Sequence, residues 1–138
     1  MPTALNQQEI DLVSQSFNKV LINTDQAVFL FYKRLFAIAP ETALLFKTNM
    51  SDQRSKFIQM LGQVVRFLGE PDELVLLLQQ LGKRHQGYHV LPEQYDDVGA
   101  ALIWMLEQML ETGFTDEIRA AWLKTYAFMS ETAKGSLN

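Results

Sequence analysis

Cysteine is absent from this chain of 138 residues, and histidine occurs only twice. The first absence excludes disulfides, a thiol nucleophile and thiolate metal sites. The second leaves any metal chemistry short of nitrogen ligands. Seven glycines and four prolines punctuate the chain, so long uninterrupted elements are possible. No run of about 18 apolar residues occurs, and a membrane-spanning helix is therefore not expected. The start, MPTALNQQEIDLV, lacks a basic region followed by an apolar one, so a signal peptide is not expected and a cytoplasmic location is. A net charge of −4 argues against a nucleic-acid surface, which needs a dense basic patch. Period-two alternation, hairpin dipeptides such as Asn-Gly and glycine-rich phosphate loops are also missing. No serine has a histidine at obvious local reach for nucleophilic catalysis.

What is there is helical patterning. Hydrophobic residues make up 48% of the chain and charged residues 20%, a balance suited to one domain over residues 1–138. A first helix is expected over 6–22, capped by Asn6 with Glu9 as its capping-box partner. Thr24 or Asp25 is expected to cap a second, with Val28, Phe29, Tyr32, Leu35, Phe36 and Ala39 inward and Pro40 as its stop. A short helical turn from Pro40 toward Phe46 and a polar connection over 47–52 should follow, with Ser51 or Asp52 capping the third helix. That helix carries Gln53, Phe57, Met60, Leu61, Val64 and Leu68 on one face, and Gly69 and Pro71 are expected to end it. A fourth begins at Asp72, with Leu74, Leu77, Leu78, Leu81 and His85 in phase, and closes near Gly87. Pro92 opens a fifth helix with Tyr95, Val98, Leu102, Met105, Leu106 and Met109 inward, ending at Gly113. Thr115 caps the last, where Ile118, Trp122, Thr125, Tyr126 and Met129 form the stripe, and KGSLN reads as a frayed tail.

Four polar groups share phase with these apolar stripes: Tyr32, Gln53, His85 and Tyr95. Burying a polar group without a partner costs roughly 1–3 kcal/mol. Four on four different helices point to a shared polar spot in an apolar cavity, the usual character of a ligand site. For each one a plainer account stands beside this. The tyrosines can reach solvent with their hydroxyls, Gln53 can lie at a wet helix edge, and His85 can be a core histidine bonded to a backbone carbonyl. His85 and His89 are four apart, but Gly87 and Pro92 break the helix before His89, which disfavours a shared zinc ion. A cofactor held by apolar contacts and one axial imidazole remains.

Several segments carry a family resemblance: FLFYKRLF around Tyr32, PETALLF ending in Phe46, DQR at 52–54, LGKRHQGYHVLPEQYDDVG around His85, and AAWLKTY at 120–126. The chain resembles a bacterial single-domain globin and is most similar to the haem domain of flavohaemoglobins. The resemblance implies an all-α globin fold, a three-over-three helical sandwich enclosing haem b (iron protoporphyrin IX). It implies that His85 is the iron ligand, that Phe46 packs on the haem, and that Tyr32 and Gln53 face the ligand side with Tyr95 beside His85. Phe57, Leu61, Val90, Val98 and Leu102 should line the slot, and Lys56 and Arg84, with Lys83, are candidates for the propionates, although a solvated charged face explains these cations equally well. His89 stands where such relatives usually lack histidine; a place near a propionate and a plain solvated position both stay open for it.

The chain departs from the pattern in three ways. Phe57 stands where leucine is usual, which narrows the pocket. The glutamate that partners the proximal histidine and tyrosine has no match, since the equivalent region is near Leu137 and Glu131 lies over a turn earlier. The reductase domain of flavohaemoglobins has no counterpart, so turnover would need an external electron donor. The resemblance thus implies binding of dioxygen, nitric oxide or carbon monoxide. Oxygen transport, or nitric oxide dioxygenase activity with an external reductase, are the functions expected. The alternative is a haem-based gas-sensor domain of a longer signalling protein. Monomer and homodimer both remain open.

Overall fold

The computed structural model describes residues 5–41, 50–87 and 92–135; for 50–55, 71, 81–87, 92–93 and 133–135 it describes the backbone only. Six α-helices lie in this part: α1 (Gln7–Val20), α2 (Thr24–Ile38), α3 (Met50–Arg66), α4 (Pro71–Gly87), α5 (Pro92–Leu110) and α6 (Asp116–Gly135). Short 3₁₀ turns extend α1, α3 and α5.

Local chemistry sets these bounds. Asn6 forms the expected capping box: its Oδ1 accepts from the Glu9 amide at 2.8 Å, and Glu9 Oε1 accepts from the Asn6 amide at 2.9 Å, satisfying two amides at the helix start. Thr115 caps α6 as expected, its Oγ1 accepting from the Ile118 amide at 3.2 Å. The cap of α2 differs from expectation. Asn23 precedes Thr24, and its Oδ1 takes the Gln26 amide. Ser51 and Asp52 lie inside α3, which already starts at Met50. Pro71 opens α4 rather than ending α3, a first-turn position that needs no amide hydrogen. The end of α5 comes at Leu110, where Glu111 takes a positive φ of 51°, a conformation expected of glycine. Lys134 and Gly135 belong to α6, so the tail begins later than expected.

Among the described residues, α2 packs chiefly on α5, α4 on α6, and α1 on α6 and α3. One buried cluster, built around Val13, Leu35, Leu61, Leu78, Met105, Leu106 and Trp122, joins these layers. Its polar lock is Ser16, whose Oγ accepts from the Trp122 indole N–H at 2.8 Å and donates to the Leu12 carbonyl at 2.7 Å. The hydroxyl thereby satisfies a buried indole without a water. At the rim, Lys124 on α6 pairs with Glu9 on α1 at 3.0 Å. No helix among the described residues is long and apolar enough to cross a membrane.

Candidate functional site

The site grows from α2. Val28, Phe31, Tyr32 and Leu35 are all buried, three- and four-residue steps that put them on one helix face. Phe29, expected to point inward, is 55% exposed with the Lys33 ammonium 5.9 Å from its ring. Phe31 takes the inward place. The aromatic run FLFY allowed either register, and Ala27 next to Val28 decides it by burying the 27–31 edge.

Tyr32 is 6% exposed, so its ring belongs to the core rather than to the surface. Among the described residues, three aromatic rings pack against it. Phe31 meets it edge-on at 5.0 Å, Phe57 from α3 at 6.0 Å, and Phe36 lies tilted at 5.7 Å. Phe31 and Phe57 stack on each other at 4.1 Å and 19°. Leu61 from α3 and Leu102 from α5 are buried in the same cluster, with Val98 packed against it. Of the expected site residues, Tyr32 and Phe57 are thus in ring contact, and Leu61 and Leu102 share their core cluster, with Val98 packed against it. Lys56, one residue before Phe57, is exposed.

Gln53 and His85 are described by their backbones alone. Gln53 precedes Phe57 and Leu61 by four and eight residues on α3, and so shares their register. His85 stands on α4, in the register of the buried Leu74 and Leu78 and two residues from the helix end. Arg84 is its neighbour on α4. Phe46, Val90 and His89 lie outside the described residues. No group of three or more His, Cys, Asp and Glu side chains comes together among the described residues.

Tyr95 has its backbone where α5 meets α6. It is 7% exposed and its hydroxyl oxygen is buried, which rules out a surface tyrosine; burial also pushes its pKa up. Tyr126 of α6 donates its hydroxyl hydrogen to the Tyr95 carbonyl oxygen, and the Gly99 amide acts on the same Tyr126 hydroxyl. Gly99 makes this approach possible, since a Cβ there would lie 2.6 Å from Tyr126 Cε2. Sequence reasoning placed Tyr126 only as core. Its bond to a helix carbonyl carries no sequence signal beyond a glycine inside a helix, which often marks close backbone approach. The buried Gln94 beside Tyr95 was also missed.

The globin family model matches residues 30–132. The chain belongs to the globin family. Its helices and their order are those of an all-α globin fold, as expected from the sequence. A flavohemoprotein from Rhizobium meliloti (strain 1021) is 33% identical over 110 residues, 76% of this chain and 27% of its own length. The globin therefore spans about a quarter of that relative. Neuroglobin-2 from Oncorhynchus mykiss is 27% identical over 139 residues, covering 91% of this chain and 87% of its own. A hexacoordinated heme protein from an anhydrobiotic tardigrade superposes with a TM-score of 0.83 at 17% identity, over 96% of this chain and 94% of that one; the likeness is one of fold.

Proposed function

We propose that this globin binds haem b through His85 and holds a diatomic gas, dioxygen first, beside Tyr32. The observation that carries the reading is the buried Tyr32, packed among Phe31, Phe36 and Phe57 in one core cluster with Leu61 and Leu102. The residues fit such a group. A flat apolar macrocycle needs apolar walls and brings four of its metal's ligands with it, so one imidazole completes the set. α3 and α4 carry Gln53 and His85, and find their packing partners in α1, α2 and α6. The haem would sit against the faces of α3 and α4 that carry Gln53 and His85. His85 would hold the iron, with Phe46, Val90 and Val98 as further apolar contacts and Tyr95 beside the histidine. The exposed Lys56, with Arg84, would meet the propionates. Bound haem would supply the iron at which the gas binds.

The protein's own part is electrostatic. Tyr32 would offer its hydroxyl as a donor among buried apolar side chains, where a hydrogen bond is worth more than in water. A bound gas that takes on negative charge, as dioxygen would, gains from that donor; carbon monoxide gains little. Gln53 would add a second donor from α3. Similarity to the flavohemoprotein supports nitric oxide dioxygenation as the turnover chemistry, NO + O2 + e⁻ giving NO3⁻, with the electron from an external reductase.

The test uses absorption spectra and stopped-flow kinetics on the purified protein. His85→Ala should lose the Soret band on reconstitution with haem. Tyr32→Phe should speed dioxygen dissociation at least roughly tenfold, the factor for one charge-assisted hydrogen bond, and leave carbon monoxide dissociation within about twofold. Dioxygen dissociation unchanged by Tyr32→Phe would end the reading.

A further inference from the structure

Phe57 and Phe31 come from different helices, yet they form the closest ring pair around Tyr32: centroids 4.1 Å apart and planes 19° off parallel. Both present faces or edges to the Tyr32 ring, Phe31 at 82° and Phe57 at 64°. Phe36 closes a further side at 5.7 Å. A phenol ring meeting edges on two sides has its plane fixed by the quadrupoles of its neighbours as well as by bulk. Rotation of the Tyr32 side chain would have to separate the stack, and both stacked rings are buried. The stack ties the helix bearing Tyr32 to the helix bearing Gln53.

We infer that Phe57 is a positioning residue that sets the discrimination between dioxygen and carbon monoxide, by locking the Tyr32 hydroxyl in one orientation through its stack on Phe31. The inference rests on Tyr32 being the ligand-side donor. It assigns Phe57 a role different from that of a bulky plug. A plug would slow both gases alike. A clamp acts only on the gas that accepts from Tyr32.

The experiment is a cycle of Phe57→Leu, Tyr32→Phe and the double variant in the haem-loaded protein. It reads dioxygen and carbon monoxide dissociation rates and the C–O stretching band of the carbonmonoxy form. Phe57→Leu should speed dioxygen dissociation roughly two- to tenfold, the factor that loss of one aromatic pair sets. It should broaden or split the C–O band and leave carbon monoxide dissociation nearly unchanged. In the Tyr32→Phe background the same substitution should have no effect on dioxygen. Phe31→Leu, which removes the other half of the stack and leaves α3 untouched, should reproduce the result, and it serves if Phe57→Leu fails to take up haem. An effect of Phe57→Leu that persists without the Tyr32 hydroxyl, or a single sharp C–O band in both variants, overturns the clamp while leaving Tyr32 as donor. No effect of Tyr32→Phe on dioxygen removes the parent reading, and with it the clamp.

Discussion

Replacing Gly99 by alanine sets two physical rules against each other. Gly99 lies inside α5, where alanine is the better helix former by about 1 kcal/mol. The added Cβ would stand 2.6 Å from Tyr126 Cε2, 2.9 Å from Cδ2 and 3.3 Å from Cζ. Those are ring atoms, and the ring is anchored at its far end by the hydroxyl's bond to the Tyr95 carbonyl. It cannot swing aside without giving up that bond. Overpacking of this kind costs about 1–3 kcal/mol, and a lost buried hydrogen bond adds about 1 kcal/mol. Set against the propensity gain, the net is a destabilisation of roughly 1–3 kcal/mol, or a fall in Tm of about 3–5 °C for each kcal/mol in a chain of this size. Urea and thermal denaturation of the two proteins measure it. The control is the same substitution in a Tyr126→Leu background, where the ring is gone and alanine should stabilise by about 0.5–1 kcal/mol. If Gly99→Ala stabilises the otherwise unaltered protein, the close packing of α5 on α6 is wrong.

Other perturbations follow the same logic. Ser16→Ala should cost about 1–3 kcal/mol in chemical denaturation, because it strands the buried Trp122 indole N–H; adding Trp122→Phe should then cost much less than that substitution does alone. Glu111→Gly should stabilise by roughly 0.5–1 kcal/mol in the same assay, since glycine takes the positive φ without the Cβ conflict. The Asn6 amide, and then the Lys124 ammonium, hold Glu9 below its ordinary value of 4.5. A lowered carboxylate contributes stability above that value and loses it as pH falls through the folded-state value. Glu9→Gln should therefore be less stable than the parent at pH 7, by a few tenths of a kcal/mol for an exposed pair, and equal to it in strong acid.

Much of the architecture was legible because helix ends carry short-range chemistry. Asn6, Thr115 and Pro92 act within three residues of where they stand, so sequence alone placed them. Errors arose where two readings differed only by tertiary context. Asn23 outcompeted Thr24 and Asp25 as a cap, and all three residue types are good caps. Phe29 and Phe31 are equally apolar, and only the packing of α2 on α5 and α3 chose between them. The polar residues flagged as intruders in apolar stripes divided. Tyr32 and Tyr95 are both buried, Tyr32 among aromatic rings and Tyr95 with its backbone held by Tyr126. Which neighbours each would meet depends on how the helices cross, which a one-dimensional phase cannot express. Phe57 stood out only by its departure from leucine, and its stack on Phe31 needed coordinates.

The α5–α6 contact also bears on the carboxylate that the resemblance led one to expect and the chain lacks. Here a neutral hydroxyl, that of Tyr126, grips the backbone carrying Tyr95. Burial, then the nearby Tyr95, Asp96 and Asp97, push the Tyr126 pKa far above the ordinary tyrosine value, and burial raises that of Tyr95. A group whose folded-state value is raised contributes stability that is complete below its unfolded value and lost as pH climbs toward the folded one. The contact should therefore be insensitive to pH from neutrality to about pH 10. Above that it should weaken by up to about 1.4 kcal/mol per pH unit for each buried tyrosine. Denaturation midpoints measured between pH 7 and 12 separate the cases. The parent should hold level and then fall, and Tyr126→Phe should start lower and fall less steeply. Parallel curves for the two proteins would mean that the Tyr126 hydroxyl ionises as freely folded as unfolded, which its buried bond to the Tyr95 carbonyl does not allow.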